Sequence, residues 1–380
     1  MERSKGSVVL NFCYLSVIFL NFLNFLSPIP IPFQLFFGSI CCIYIGSRRG
    51  IIIQEKLERG DKGDKEEKEK QMTVVDALLF LVYGSLVLLG LYFAYKIFDK
   101  NLLNSVLSFH FTFFGFLSLV QLFCYHLDKI FPDWEKISIY KKKFSIKLWI
   151  YARTFNISIN KSEVIAGLLA IPATVGYFLS KHWLLNNLFG IAFSICGIES
   201  LVLPSFQIGF VLLWGLFCYD IFWVYGTDVM LTVAKAVDAP IKLLFPVNLF
   251  AAEPSFSMLG LGDIIIPGVF IALCLKYDVD KAILNFRRQG IREFSFDLIS
   301  TPYFNWCLGG YALGIVLTYN ALIIFKQAQP ALLFLVPCCC LSVLLCAAKN
   351  KEIKGLFEYS EDHIRQYLGE TSLIERNKEK

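Results

Sequence analysis

The chain has 380 residues, with 36 Lys+Arg against 31 Asp+Glu for a formal net charge of +5; 56% of residues are hydrophobic and 18% charged. A soluble domain is roughly 45–50% apolar and about 25% charged. The apolar excess falls in blocks of about 17–25 residues, the length that crosses a hydrocarbon core of about 30 Å at 1.5 Å per residue. This excludes a soluble enzyme and a disordered regulator, and the charge is too diffuse for a nucleic-acid partner. The pattern is that of an all-α polytopic membrane protein lying in a lipid bilayer.

Arg3 and Lys5 precede an apolar run from Val8 to Leu26, which is the layout of a signal peptide or signal anchor. Pro28, Pro30 and Pro32 then break any helix. A second apolar stretch follows from Phe33 to Ile45. The favoured reading of 8–45 is a signal peptide plus one span near 30–46; one broken span or two spans remain open. Further spans are expected at about 73–96, 103–124, 163–180, 185–203, 206–225, 257–276, 305–325 and 330–347, making nine transmembrane helices. The domain division is an N-terminal segment 1–29, scaffold helices 30–180, a second set of helices 181–349 and a tail 350–380.

The twelve cysteines, from Cys13 to Cys346, all lie inside apolar stretches without CxxC spacing. They read as small packing residues rather than a disulfide framework or zinc site. No metal or other cofactor is expected.

Orientation follows from the Lys/Arg bias of the loops. The loops 48–71, 126–162 and 277–304 and the tail hold most of the basic residues, among them Lys62 to Lys70, Lys141 to Lys143, Arg287, Arg288, Arg292 and Lys349. They alternate with poorer loops, so all fall on one side. Nine spans then put the mature N-terminus outside the cytosol and the C-terminus inside it. The sequons at Asn156 and Asn160 become cytosolic and unglycosylated.

An acid inside a span costs roughly 2.5–3.5 kcal/mol and marks a functional site by default. Two stand out: Asp220, after Tyr219, and Asp263, after Gly260-Leu261-Gly262. With helix ends near Tyr225 and Ser257, antiparallel neighbours put both carboxylates roughly 8–9 Å below the same membrane face. That is the layout for aspartic proteolysis, in which two close carboxylates share a proton, one activating water and the other protonating the carbonyl oxygen. A proton relay or ion pathway in a transporter is open on the two acids alone. Glu199, near a helix end, is expected to reach the interface.

The glycines loosen the helix and admit another backbone, so an extended substrate could add to it as a strand. Gln329-Pro330-Ala331-Leu332 opens the last span, Pro suiting the first turn. Tyr219 either packs or hydrogen-bonds near the acids. No HExxH and no Gly-x-Ser occurs, which disfavours metallo- and serine proteases.

Taken together, Tyr219-Asp220, Gly260-Leu261-Gly262-Asp263 and Pro330-Ala331-Leu332 resemble the three motifs of the presenilin and signal peptide peptidase superfamily of intramembrane aspartyl proteases. His182-Trp183, Asn186-Asn187-Leu188-Phe189-Gly190, the stretch Phe222 to Met230, and Ala239-Pro240-Ile241-Lys242 are similar to the signal peptide peptidase branch. The resemblance implies a nine-span fold, and Asp220 and Asp263 as catalytic residues. It implies supporting roles for Tyr219, Gly260, Leu261, Gly262, Gln329, Pro330, Ala331 and Leu332. It further implies substrates that are transmembrane peptides, namely leftover signal peptides and type II spans in the endoplasmic reticulum membrane, and homo-oligomers without protein cofactors. Arg376 and Lys378 resemble a dibasic retrieval signal. The remaining alternatives are a relative acting in later compartments and a non-catalytic membrane factor that holds such substrates.

Overall fold

The computed structural model describes residues 9–17, 19, 30–59, 73–148, 151–237, 239–248, 255–289, 299–325 and 329–360. Arg376, Lys378, Lys62 to Lys70, Arg292 and most of 1–29 lie outside the described residues. The long helices are α1 (Ile31–Arg59), α2 (Val74–Ile97), α3 (Lys100–Ile130), α5 (Lys161–Ser180), α6 (Trp183–Ser200), α7 (Phe206–Tyr225), α9 (Gly262–Arg288), α10 (Pro302–Phe325) and α11 (Leu332–Asn350). Short helices are α4 (Pro132–Lys136), α8 (Val229–Ala236) and α12 (Ile353–Glu358).

Among the described residues, seven of these helices are long and apolar enough to cross a membrane, α1 over Ile31–Ile52 and α2, α3, α5, α7, α10 and α11 along their lengths. The other two long helices, α6 and α9, carry the middle of the protein. In α6, 18 residues long, Phe189, Ala192 and Ile195 have no exposed surface, and its polar Asn186, Asn187 and Glu199 are buried too. A helix wrapped by protein can hold polar groups that lipid would reject. The opposite case is α2, where only Ala77 and Tyr95 are buried and apolar side chains such as Leu86 and Val87 face outward. A helix apolar all round is stable only in a bilayer or a core.

Among the described residues, two antiparallel hairpins join the helices. The first pairs β1 (Ser138–Leu148) with β2 (Tyr151–Asn160), so part of the basic 126–162 loop is a ribbon. The second pairs β3 (Lys242–Asn248) with β4 (Ser255–Gly260), Lys242 opposite Gly260 and Leu244 opposite Met258.

Glu199 does not reach the interface. Its side chain is 3% exposed and pairs with Arg49 of α1 at 2.8 Å. Gln121 of α3 donates to its other oxygen at 2.9 Å. Arg49 also donates to the Gln121 carbonyl at 3.4 Å and to the Tyr14 hydroxyl at 3.3 Å, and lies over the Tyr125 ring. A buried acid at a helix end finds a cation more cheaply than it drags its helix toward water. Residues 9–17, inside the expected signal-like block, form a helix whose Leu10, Cys13, Tyr14 and Val17 are buried.

At the other end of the chain, Lys351 adopts the left-handed conformation that ends α11 and turns the chain back. The segment behind it seals the ends of α7 and α9. Phe357 stacks on Phe210, Tyr359 packs edge-on against Tyr277, and the Tyr359 hydroxyl donates to Asp280 at 2.6 Å.

Candidate active site

Helix α7 starts at Ser205, whose hydroxyl accepts from the Ile208 N–H at 3.4 Å. Its buried residues Gly209, Leu212, Leu213, Leu216, Asp220 and Trp223 recur at helical spacing. Asp220 therefore lies on the inward stripe, only 6% exposed, five positions before the helix ends at Tyr225.

Asp263 sits differently from the expectation. The span does not start near Ser257: residues Ser255–Gly260 are strand β4, and α9 begins at Gly262, so Asp263 is in its first turn. Hydropathy cannot separate a short buried strand from a helix inside one apolar run. Here the strand wins because β3 offers it a partner, and two glycines at its end weaken the helical alternative. The Leu261 carbonyl accepts from the N–H groups of Ile264 and Ile265 and opens α9, while the Leu261 N–H pairs with the Ile241 carbonyl at 3.1 Å.

The Gly260 position has a steric reason. A Cβ there would lie 3.1 Å from a carboxylate oxygen of Asp263. Gly262 meets no such crowding: its nearest neighbour, Ile266, is at ordinary contact distance. Asp220 lies within electrostatic reach of Asp263 and accepts a hydrogen bond from the backbone N–H of Leu332. Leu332 is the first residue of α11, where helix N–H groups have no partner in their own helix. The Pro-Ala-Leu segment thus touches the first acid through backbone, and Pro330, Ala331 and Leu332 are all buried. Gln329 is tied to the end of α7 by a hydrogen bond that its side-chain oxygen accepts from the Tyr225 hydroxyl. Tyr219 packs against Trp223 and toward α2, its hydroxyl 3.7 Å from where a Cβ on Gly84 would be.

Asn186 and Asn187 belong to the site in a way their sequence positions did not reveal. Asn187 donates to the Leu244 carbonyl at 2.8 Å and accepts the Leu244 N–H at 2.7 Å, doing for β3 what a neighbouring strand would do. Asn186 adds a bond to the Lys242 carbonyl at 2.8 Å. Gly190 clears the way, since a Cβ there would meet Leu243 at 2.6 Å. The hairpin is therefore backed by α6 on the β3 side. Among the described residues, β4 pairs with one strand, β3, and its other edge has no strand on it.

Asp220 on α7 and Asp263 on α9 thus lie within electrostatic reach of each other, beside a β-hairpin that leads into α9. A family model for signal peptide peptidase matches residues 64–363. The chain is 39% identical over 321 residues to the signal peptide peptidase of Mus musculus, covering 81% of this chain and 79% of that protein. It is also 39% identical over 305 residues to that of Homo sapiens, covering 77% and 74%. Intramembrane protease 2 of Caenorhabditis elegans is 44% identical over 214 residues, 54% of this chain and 44% of that protein. The chain belongs to the signal peptide peptidase family of intramembrane proteases.

Proposed function

We propose that Asp220 and Asp263 are the catalytic pair, and that the protein cleaves transmembrane helices of leftover signal peptides and type II membrane proteins in the endoplasmic reticulum membrane. The observation that carries the reading is the meeting of Asp220, Asp263 and the start of α11 at Leu332. Two carboxylates that act on one water hold one proton between them. The ionised one takes a proton from water as its oxygen attacks the scissile carbonyl. The protonated one donates to the carbonyl oxygen, giving a tetrahedral gem-diol. Return of a proton to the leaving nitrogen breaks the C–N bond.

Tyr219, Gly260, Leu261, Gly262, Gln329, Pro330, Ala331 and Leu332 support the pair. Gly260 gives the Asp263 carboxylate room; Leu332 gives Asp220 a donor; Tyr219 holds α7 against α2. Residues 30–180 act as scaffold, 181–349 carry the chemistry, 1–29 precede them and 350–380 form the tail. The basic loops put the C-terminus in the cytosol, Arg376 and Lys378 serve as a retrieval signal, and copies of the chain assemble into homo-oligomers. No cofactor is needed.

A substrate helix has its carbonyls locked in hydrogen bonds, and water attacks only after it unwinds. Among the described residues one edge of β4 carries no strand, which supports strand addition as the way the unwound segment is held. The test is cleavage of a signal-peptide-like helix by the purified chain in detergent micelles. Inhibition by a transition-state mimic of aspartyl proteases is expected; cleavage indifferent to that mimic overturns the reading. In the same assay, Gly or Ser in mid-span should raise the rate about tenfold over a poly-Leu span. Each Gly weakens a helix by about 1 kcal/mol and several act together. Equal rates across such a series would remove unwinding from the mechanism.

A further inference from the structure

Pro267 stands inside α9, four residues after Asp263. In an α-helix the N–H at that position would bond to the Asp263 carbonyl, and proline has none to give. A buried carbonyl left without a donor is costly, so a partner is expected. Tyr311 of α10 is fully buried, and its hydroxyl donates to the Asp263 carbonyl at 3.3 Å. Ser39 of α1 lies beside that hydroxyl. Ser39 in turn donates to the Leu35 carbonyl in its own helix at 2.7 Å. The backbone of Asp263 is thereby tied to α10.

We propose that Tyr311 is a positioning residue for proteolysis: its hydroxyl replaces the hydrogen bond that Pro267 removes and holds the backbone of Asp263 where its carboxylate meets Asp220. This rests on the assignment of Asp220 and Asp263 as the catalytic pair. Pro267 keeps the first turn of α9 free of its own constraint. Tyr311 then sets the position of that turn from outside the helix. Proton transfer within a pair of acids depends steeply on their separation, so a small drift is enough to slow it.

The experiment compares wild type, Y311F and the double variant Y311F/P267A in the micellar cleavage assay, with the affinity of a transition-state mimic measured on the same samples. Y311F should lower kcat about 10- to 100-fold, the loss typical of a misplacement of about 1 Å, with KM within about twofold. Affinity for the mimic should fall in parallel. In the double variant, residue 267 regains an N–H that bonds to the Asp263 carbonyl from within the helix. The double variant should therefore be faster than Y311F by about tenfold. A role in packing alone predicts no such rescue, since P267A restores no side-chain volume near residue 311.

Wild-type kcat in Y311F, or a double variant no better than Y311F, overturns the proposal. If Y311F does not fold, the double variant decides: folded and active supports the proposal, unfolded overturns it. Asp220→Ala and Asp263→Ala run alongside. If they stay active, the catalytic pair is wrong; if they are dead while Y311F is normal, only the role of Tyr311 falls.

Discussion

Replacing either Asp220 or Asp263 by alanine is expected to lower the cleavage rate by at least about 10⁴-fold, with the protein still folded. General acid and general base catalysis each supply about 10²–10⁴. Groups that act as one unit lose nearly everything when either is removed. Asparagine makes the sharper probe. In Asp220→Asn the amide oxygen can still accept the Leu332 N–H that Asp220 accepts, so the local geometry is kept while proton transfer is removed. Loss of turnover in Asp220→Asn, with thermal unfolding in micelles unchanged, assigns the role to chemistry and not to packing. An Asp220→Asn or Asp263→Asn protein that cleaves at the wild-type rate would end the assignment.

Arg49→Ala is expected to cost about 3–5 kcal/mol of stability, the penalty for stranding a buried charge. The side chains of Arg49 and Glu199 are 1% and 3% exposed, so solvent does little to screen the loss. Their pair, with Gln121 and Tyr14, joins α1, α3, α6 and the helix at 9–17. Arg49→Met combined with Glu199→Leu should recover most of the stability, because apolar pairs of similar volume often replace buried ion pairs at little cost. Thermal unfolding in micelles measures both. A single Arg49→Ala variant that melts with wild type would show that the ion pair stabilises nothing.

The membrane helices were legible because a span of fixed thickness demands a run of fixed length, and that demand survives any tertiary detail. The acids were legible because a charge in such a run is rare. The β3–β4 hairpin was hidden for the same reason that the spans were clear: the stretch 257–276 reads as one apolar span, and hydropathy gives no sign of a strand turning into a helix at Gly262. Pairing of Glu199 with Arg49 joins residues far apart in sequence, and no local pattern reports it. The part played by Asn187 was masked because an amide in a span reads as a polar residue awaiting a helix partner, not as a substitute strand. Tyr311 was hidden among seventeen tyrosines. Its trace in the sequence was Pro267, four residues past an acid, which announces a carbonyl in need of a donor.

Ile198 of α6 sits between two glycines on two other helices. A Cβ on Gly46 of α1 would lie 2.9 Å from its Cβ, and one on Gly268 of α9 would lie 2.6 Å from its Cδ1. Small residues let membrane helices approach this closely. The arrangement is a tenon held by two mortises, and the second mortise belongs to the helix that carries Asp263. Since the ribosome delivers α1, then α6, then α9, the order of synthesis is also a workable order of assembly. Each helix finds the slot for the next already half built. The half of the chain that bears the acids is thus shaped by the half that comes before it, and made alone it would meet an open slot where α1 belongs.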